Sequence, residues 1–171
     1  FKSSAPKDTS ASKPFDWDIH LDALNLTNTN FSYLDEKSKL DLRVFVPELY
    51  VSVKQADFKK MLIALNSVTL KQPRVSIDMG KRSINDDNDT SGPIHFMPGN
   101  MVVTYDEFNL EQAHFSLNDH NVDTVKAKGM DFKHLDITDI FLIASDGAVT
   151  ADTITTQIAK LSAKDRCGFE L

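Results

Sequence analysis

The residues Asp87-Asn88-Asp89-Thr90-Ser91-Gly92 have the types of a calcium loop, with oxygen ligands at alternate positions and a glycine for the turn. The match fails at its end, where a bidentate glutamate belongs and Pro98 stands. The stretch reads instead as a solvated acidic turn. Among the five histidines, only His114 and His120 lie close in sequence, and a turn between them keeps them from one ion. No HExxH or Cys/His spacing supports zinc, so the metal expectation is none. Cys167 stands alone, without a disulfide partner. Alternation puts Arg166 on the opposite face of an apparent strand, so the thiol is expected buried or half-buried and inert. No G-x-S-x-G elbow and no glycine-rich phosphate loop occurs. Asp35-Glu36 and Asp86-Asp87 fall in turns, where acids solvate a loop. The residues therefore point away from an enzyme and imply no cofactor and no catalytic residue. The sequons at Asn25, Asn30 and Asn88 matter only in a eukaryotic secretory setting.

The elements that would carry any site follow from composition and rhythm. The chain has 171 residues, 41% of them hydrophobic, and a formal charge of −6. That balance lacks the concentrated basic face that nucleic-acid binding requires. No leader-like segment and no long apolar run occurs. The start at Phe1 reads as a fragment or a processed chain.

Residues 1–14 mix Ser, Ala, Lys and Pro without period and read as a linker. Residues 81–98 form a second polar break with Gly92-Pro93 as a turn signal. Between them lie two patterned units, 15–80 and 99–171. Their period is two, the mark of strands wet on one face. Phe31 and Tyr33, Leu42, Val44 and Val46, then Leu49, Val51 and Val53 illustrate it. The phase flips at Pro47, which predicts a bulge or kink. Met101 to Tyr105, Phe115-Leu117, Val125-Ala127, Leu135-Ile137, Ile140-Leu142 and Phe169-Leu171 continue the style. Asp57 to Leu65 and Thr153 to Leu161 carry weak helix signals and are assigned strand. The units also resemble each other: Leu24 to Asp35 lays over Phe108 to Asp119 at a constant offset. The expected fold is all-β: an elongated, curved, mostly antiparallel sheet of two similar units, with few or no helices.

Leu26 to Asp35 and Leu110 to Asp119 share an L-x-N-like opening and an aromatic-rich middle, and the chain ends Ile158 to Leu171 around Gly168-Phe169. This pattern resembles the periplasmic repeat region of AsmA/TamB-type proteins, over about residues 15–171. Cys167 departs from the small residue expected there. The resemblance implies an inner-membrane-anchored protein reaching through the periplasm, engaged in outer-membrane biogenesis. It implies an apolar β groove for phospholipid, with neighbouring repeats and outer-membrane assembly proteins as partners. Phe31, Tyr33, Val44, Val46, Phe115 and Leu117 are the candidate groove residues. Those stripes fit equally the dry core of a sandwich. Two alternatives therefore stand: a structural or docking β module of the envelope, and a carbohydrate-binding or adhesive domain using Trp17, Tyr50 or Tyr105.

Overall fold

A computed structural model describes residues 20–81, 96–126 and 129–171. The linker at 1–14, Trp17, His95 and the acidic stretch 87–92 lie outside the described residues. The described chain is all-β and contains no helix. The strands are β1 (Ala23–Asp35), β2 (Leu40–Asp57), β3 (Leu62–Lys71), β4 (Arg74–Met79), β5 (Val102–Asp119), β6 (His134–Val149) and β7 (Ile154–Asp165).

The sheet runs β1-β2-β3-β5-β6-β7, with β4 paired to β2 and β5. The pairings β2–β3–β5–β4 close a small ring, and the register explains it. β3 takes Glu48 to Asp57 of β2, and β4 takes Leu40 to Phe45 along the same edge. Both then meet β5 in parallel at one constant offset, from Leu62↔Val102 to Met79↔Asp119. β3 and β4 are thus one column interrupted at Gln72-Pro73. Proline cannot donate to the ladder, and the column breaks there between Lys71 and Arg74. The sheet is mixed: the two sequence units join in parallel, and the other pairings are antiparallel. A parallel join needs a crossover of a dozen residues or more, and the polar 81–98 stretch falls within that connection.

Every contact between strands is made by hydrogen-bonded neighbours. Two packed layers would enclose large side chains between them, and among the described residues none is enclosed, so the sheet is one layer thick. Ala113 and Ala144 are the buried hydrophobics, and no large side chain is fully enclosed.

Short turns fix the hairpins. Asp35 Oδ1 accepts the Lys37 and Ser38 N–H groups, and Asp57 Oδ1 accepts the Lys60 N–H. Each carboxylate caps a turn that leaves through a left-handed residue, Lys39 or Met61. The segment from Asp57 is therefore a strand end and a turn, with a strand resuming at Leu62.

Two sequence expectations need correction and a third is narrowed. Val125 is exposed and lies in the irregular β5–β6 connection, where Asp131 Oδ2 draws off the neighbouring Lys126 N–H. Cys167 is exposed in a turn, not buried in a strand. Gly168 at φ +83 ends the strand pattern there, and the Cys167 N–H donates to Asp165 Oδ2. At Pro47 the choice between bulge and kink falls to the kink: Thr27↔Glu48 and Thr29↔Val46 flank it with no register shift. The kink is shared with the neighbouring strands.

Candidate functional site

Register assembles the candidate residues into rows, because directly paired residues point to the same side of a sheet. Phe31, Val44, Val75, Phe115 and Ile137 follow one another across five columns. Tyr33, Leu42, Ile77, Leu117 and Leu135 form the next same-side row. Five of the six candidates thus come together in these two rows. Val46, two residues from Val44, lies on the same side but outside these rows, opposite Thr29 next to the kink.

Beyond the kink lies a row that single-strand reading missed. Leu26, Leu49, Leu70, Leu110, Leu142 and Leu161 pair in succession across the full width of the sheet. Five spacings of about 4.8 Å make that row about 24 Å long. Leu24, Val51, Val68, Phe108, Ala144 and Ile158 form its companion.

The two sets of rows are separated by a crease. Asn28, Gln72, Gln112 and Asp139 all have left-handed backbone, with φ between 50 and 52°, and Pro47 occupies the matching place in β2. Apolar positions straddling the crease are five apart in every strand it crosses: Leu26 and Phe31, Val44 and Leu49, Leu70 and Val75, Leu110 and Phe115, Ile137 and Leu142. Unbroken alternation would put positions five apart on opposite faces. A left-handed residue interrupts the alternation and lets the rows on both sides share a face. The constant five-residue spacing was the signal available in the sequence. The crease keeps its bonding: Gln72 Nε2 donates to Gln112 Oε1 at 3.0 Å, and the His114 N–H donates to the Pro73 carbonyl.

The apolar face ends on a tight aromatic contact. Tyr105 pairs with Gly147, and a Cβ on that glycine would fall within the Tyr105 ring. The ring leans on Phe108, with centroids 5.7 Å apart. Tyr105 is thus packed into the apolar side. Tyr50 is exposed but lies in a row with Asn25, Thr69 and Asn109, so the two tyrosines do not form a sugar-stacking platform.

The opposite face is polar below the crease. Ser32, Arg43, Ser76, Ser116 and Asp136 make one row. A shallow cleft of about 400 Å³ lies beside this row, lined by Arg43, Phe45, Arg74 and His114 and also by Phe31, Val44 and Val75 of the apolar row. Its charges are internally matched. Arg43 holds Asp41 at 2.6 Å, His114 Nε2 meets Asp136 Oδ1 at 2.6 Å, and the Arg74 guanidinium sits over the Phe45 ring.

The remaining titratable groups serve the β5–β6 corner. Asp131 accepts the Lys126 and Lys133 N–H groups and faces buried His134 at 3.1 Å. These bonds, led by the Lys126 amide, hold its carboxyl far below the usual range against the cost of burial. Asp119 takes hydrogen bonds from Asn121 and Lys133, which bring it down to about 2. His120 pairs with Asp78 at 3.3 Å, so His114 and His120 serve different carboxylates. Among the described residues no cluster of His, Cys, Asp and Glu could hold a metal ion.

No protein-family model, curated protein or solved structure matches the chain.

Proposed function

We propose that this chain is a segment of an AsmA/TamB-like envelope protein in outer-membrane biogenesis, and that it holds phospholipid acyl chains along its apolar sheet face. It would lie in the periplasm as part of an inner-membrane-anchored protein, beside neighbouring repeats and within reach of outer-membrane assembly proteins. One observation carries the reading: apolar rows cross the sheet, and no second layer covers them among the described residues. Contiguous apolar patches of more than a few hundred Å² on soluble proteins mark binding surfaces. Each methylene laid on such a surface gains about 0.8 kcal/mol. A chain of many methylenes therefore binds well with little polar chemistry, which matches a face without a charged cluster. The docking module called for a filled core, which is lacking among the described residues, and the sugar-binding domain called for clustered exposed aromatics, which Tyr50 and Tyr105 do not form.

The test is native mass spectrometry, with lipid extraction, on gently purified protein. Phospholipid is expected to co-purify. Val44→Asp and Leu117→Asp, each placing a carboxylate in a central row, should abolish it while far-ultraviolet circular dichroism stays unchanged. Native protein that carries no lipid and takes none up from phospholipid vesicles refutes the reading.

A further inference from the structure

Among the described residues no strand covers the outer edge of β1, and its sequence is self-complementary. Exposed sheet edges are normally blunted by lysine, proline or a covering segment. β7 is so protected: it carries Lys160 and Lys164, and the C-terminal residues fold back on it, with Ala163 and Leu171 exchanging backbone bonds. β1 has no Lys, Arg or Pro from Ala23 to Asp35, and its one charge is Asp35 at the end. Phe31 is 56% exposed and Tyr33 49%, whereas their row-mates Phe115 and Leu117 in central β5 are half-buried. Among the described residues β1 has a neighbouring strand on one side alone.

Written as apolar (h) or polar (p), Ala23 to Leu34 reads h-h-p-h-p-p-p-p-h-p-h-h. The pattern is a palindrome centred between Asn28 and Thr29. An antiparallel copy laid in that register puts Leu24 opposite the partner's Tyr33, Asn25 opposite the partner's Ser32, and Leu26 opposite the partner's Phe31. Like meets like at every position. The crease makes this geometry consistent. Even-numbered residues are apolar above it and odd-numbered residues below it, so a two-fold axis normal to the sheet pairs apolar side with apolar side.

We propose that β1 pairs antiparallel with β1 of a second copy of this chain, forming a two-fold dimer with one continuous sheet. Such an interface is isologous and closes on itself, so it makes dimers and not fibres. Both apolar faces then lie on the same side, and the Leu26 row runs on into the partner's Phe31. The one unfavourable meeting is Asp22 with the partner's Asp35 at each end. Asp35 already satisfies its oxygens on Lys37 and Ser38. The proposal rests on the edge and not on lipid, so it stands or falls apart from the function above.

Sedimentation of the purified 19.1 kDa chain over a concentration series should show a reversible monomer–dimer equilibrium. Disulfide trapping reads the register. In a Cys167→Ser background, Asn25→Cys and Ser32→Cys are made as separate chains. In the dimer these two positions face each other within disulfide reach, whereas each position lies about 23 Å from its own copy across the axis. Mixing the two variants should give at least about tenfold more cross-linked dimer than either alone. Thr27→Cys mixed with Asn30→Cys provides a second pair in the same register. A chain that sediments as monomer at every concentration, or single variants that cross-link as readily as the mixtures, overturns the proposal.

Discussion

Gly147 is the position where the apolar face has least tolerance. Its missing Cβ is the space the Tyr105 ring occupies, so Gly147→Ala must push the ring aside. Overpacking of this kind costs about 1–3 kcal/mol. Losing the Tyr105–Phe108 contact adds about 0.5–1.5 kcal/mol. The variant should therefore be destabilised by about 3 kcal/mol, which for a chain of this length lowers Tm by about 6–12 °C. In a Tyr105→Thr background the ring is gone and the alanine meets open space. There the same change should be neutral or stabilising by about 0.5 kcal/mol, since glycine is a poor strand residue. Urea unfolding of the four proteins, followed by circular dichroism, closes the cycle. A coupling of about 3–3.5 kcal/mol is expected; additivity within about 0.5 kcal/mol would refute the claim that ring and glycine share one space.

The crease and the β5–β6 corner give further expectations. Asn28→Val places a β-branched residue at φ 52° and should cost about 1–2 kcal/mol in urea unfolding, while Asn28→Gly should be near neutral. Equal stability of the two variants would remove the role given to the left-handed backbone. Asp119 and Asp131 have carboxyls lowered by the fold, so their stabilisation is fully present above the unfolded carboxylate range near pH 4. It is lost as pH falls through their folded values, and unfolding free energy should drop between about pH 4 and pH 2. Asp119→Asn should flatten that drop in a pH series of urea melts; an unchanged slope would show that its hydrogen bonds do not favour the charged form.

Much of the fold was readable because alternation is local. Phe31, Tyr33, Val44, Phe115 and Leu117 each declare a face within a few residues, and they do meet on one side of the sheet. Pro47 marked the crease in one strand, since proline disturbs a strand wherever it stands. At Asn28, Gln112 and Asp139 nothing in the residue type announces left-handed backbone. Only comparing five-residue spacings between strands reveals it. The parallel seam between β4 and β5 has no local signature, because it depends on where a long connection returns the chain. Cys167 was misplaced because its alternating neighbours look strand-like, while the Asp165 carboxylate and Gly168 turn the backbone instead. The lack of a second layer was unreadable for a related reason. A stripe of apolar side chains looks the same whether protein or something else covers it.

A sheet one layer thick, as the described strands form, has cooperativity that runs along a single direction. Each strand is secured only by the strands on either flank, so the free energy of opening is a sum of nearest-neighbour terms, as in a linear array. Loss of β1 or β7 forfeits one boundary, whereas parting β5 from β6 splits the whole into two pieces. Amide protons are accordingly held longest at the middle of the array and shortest at its margins. Anything that settles across several strands at once adds a long-range tie that the bare polypeptide lacks.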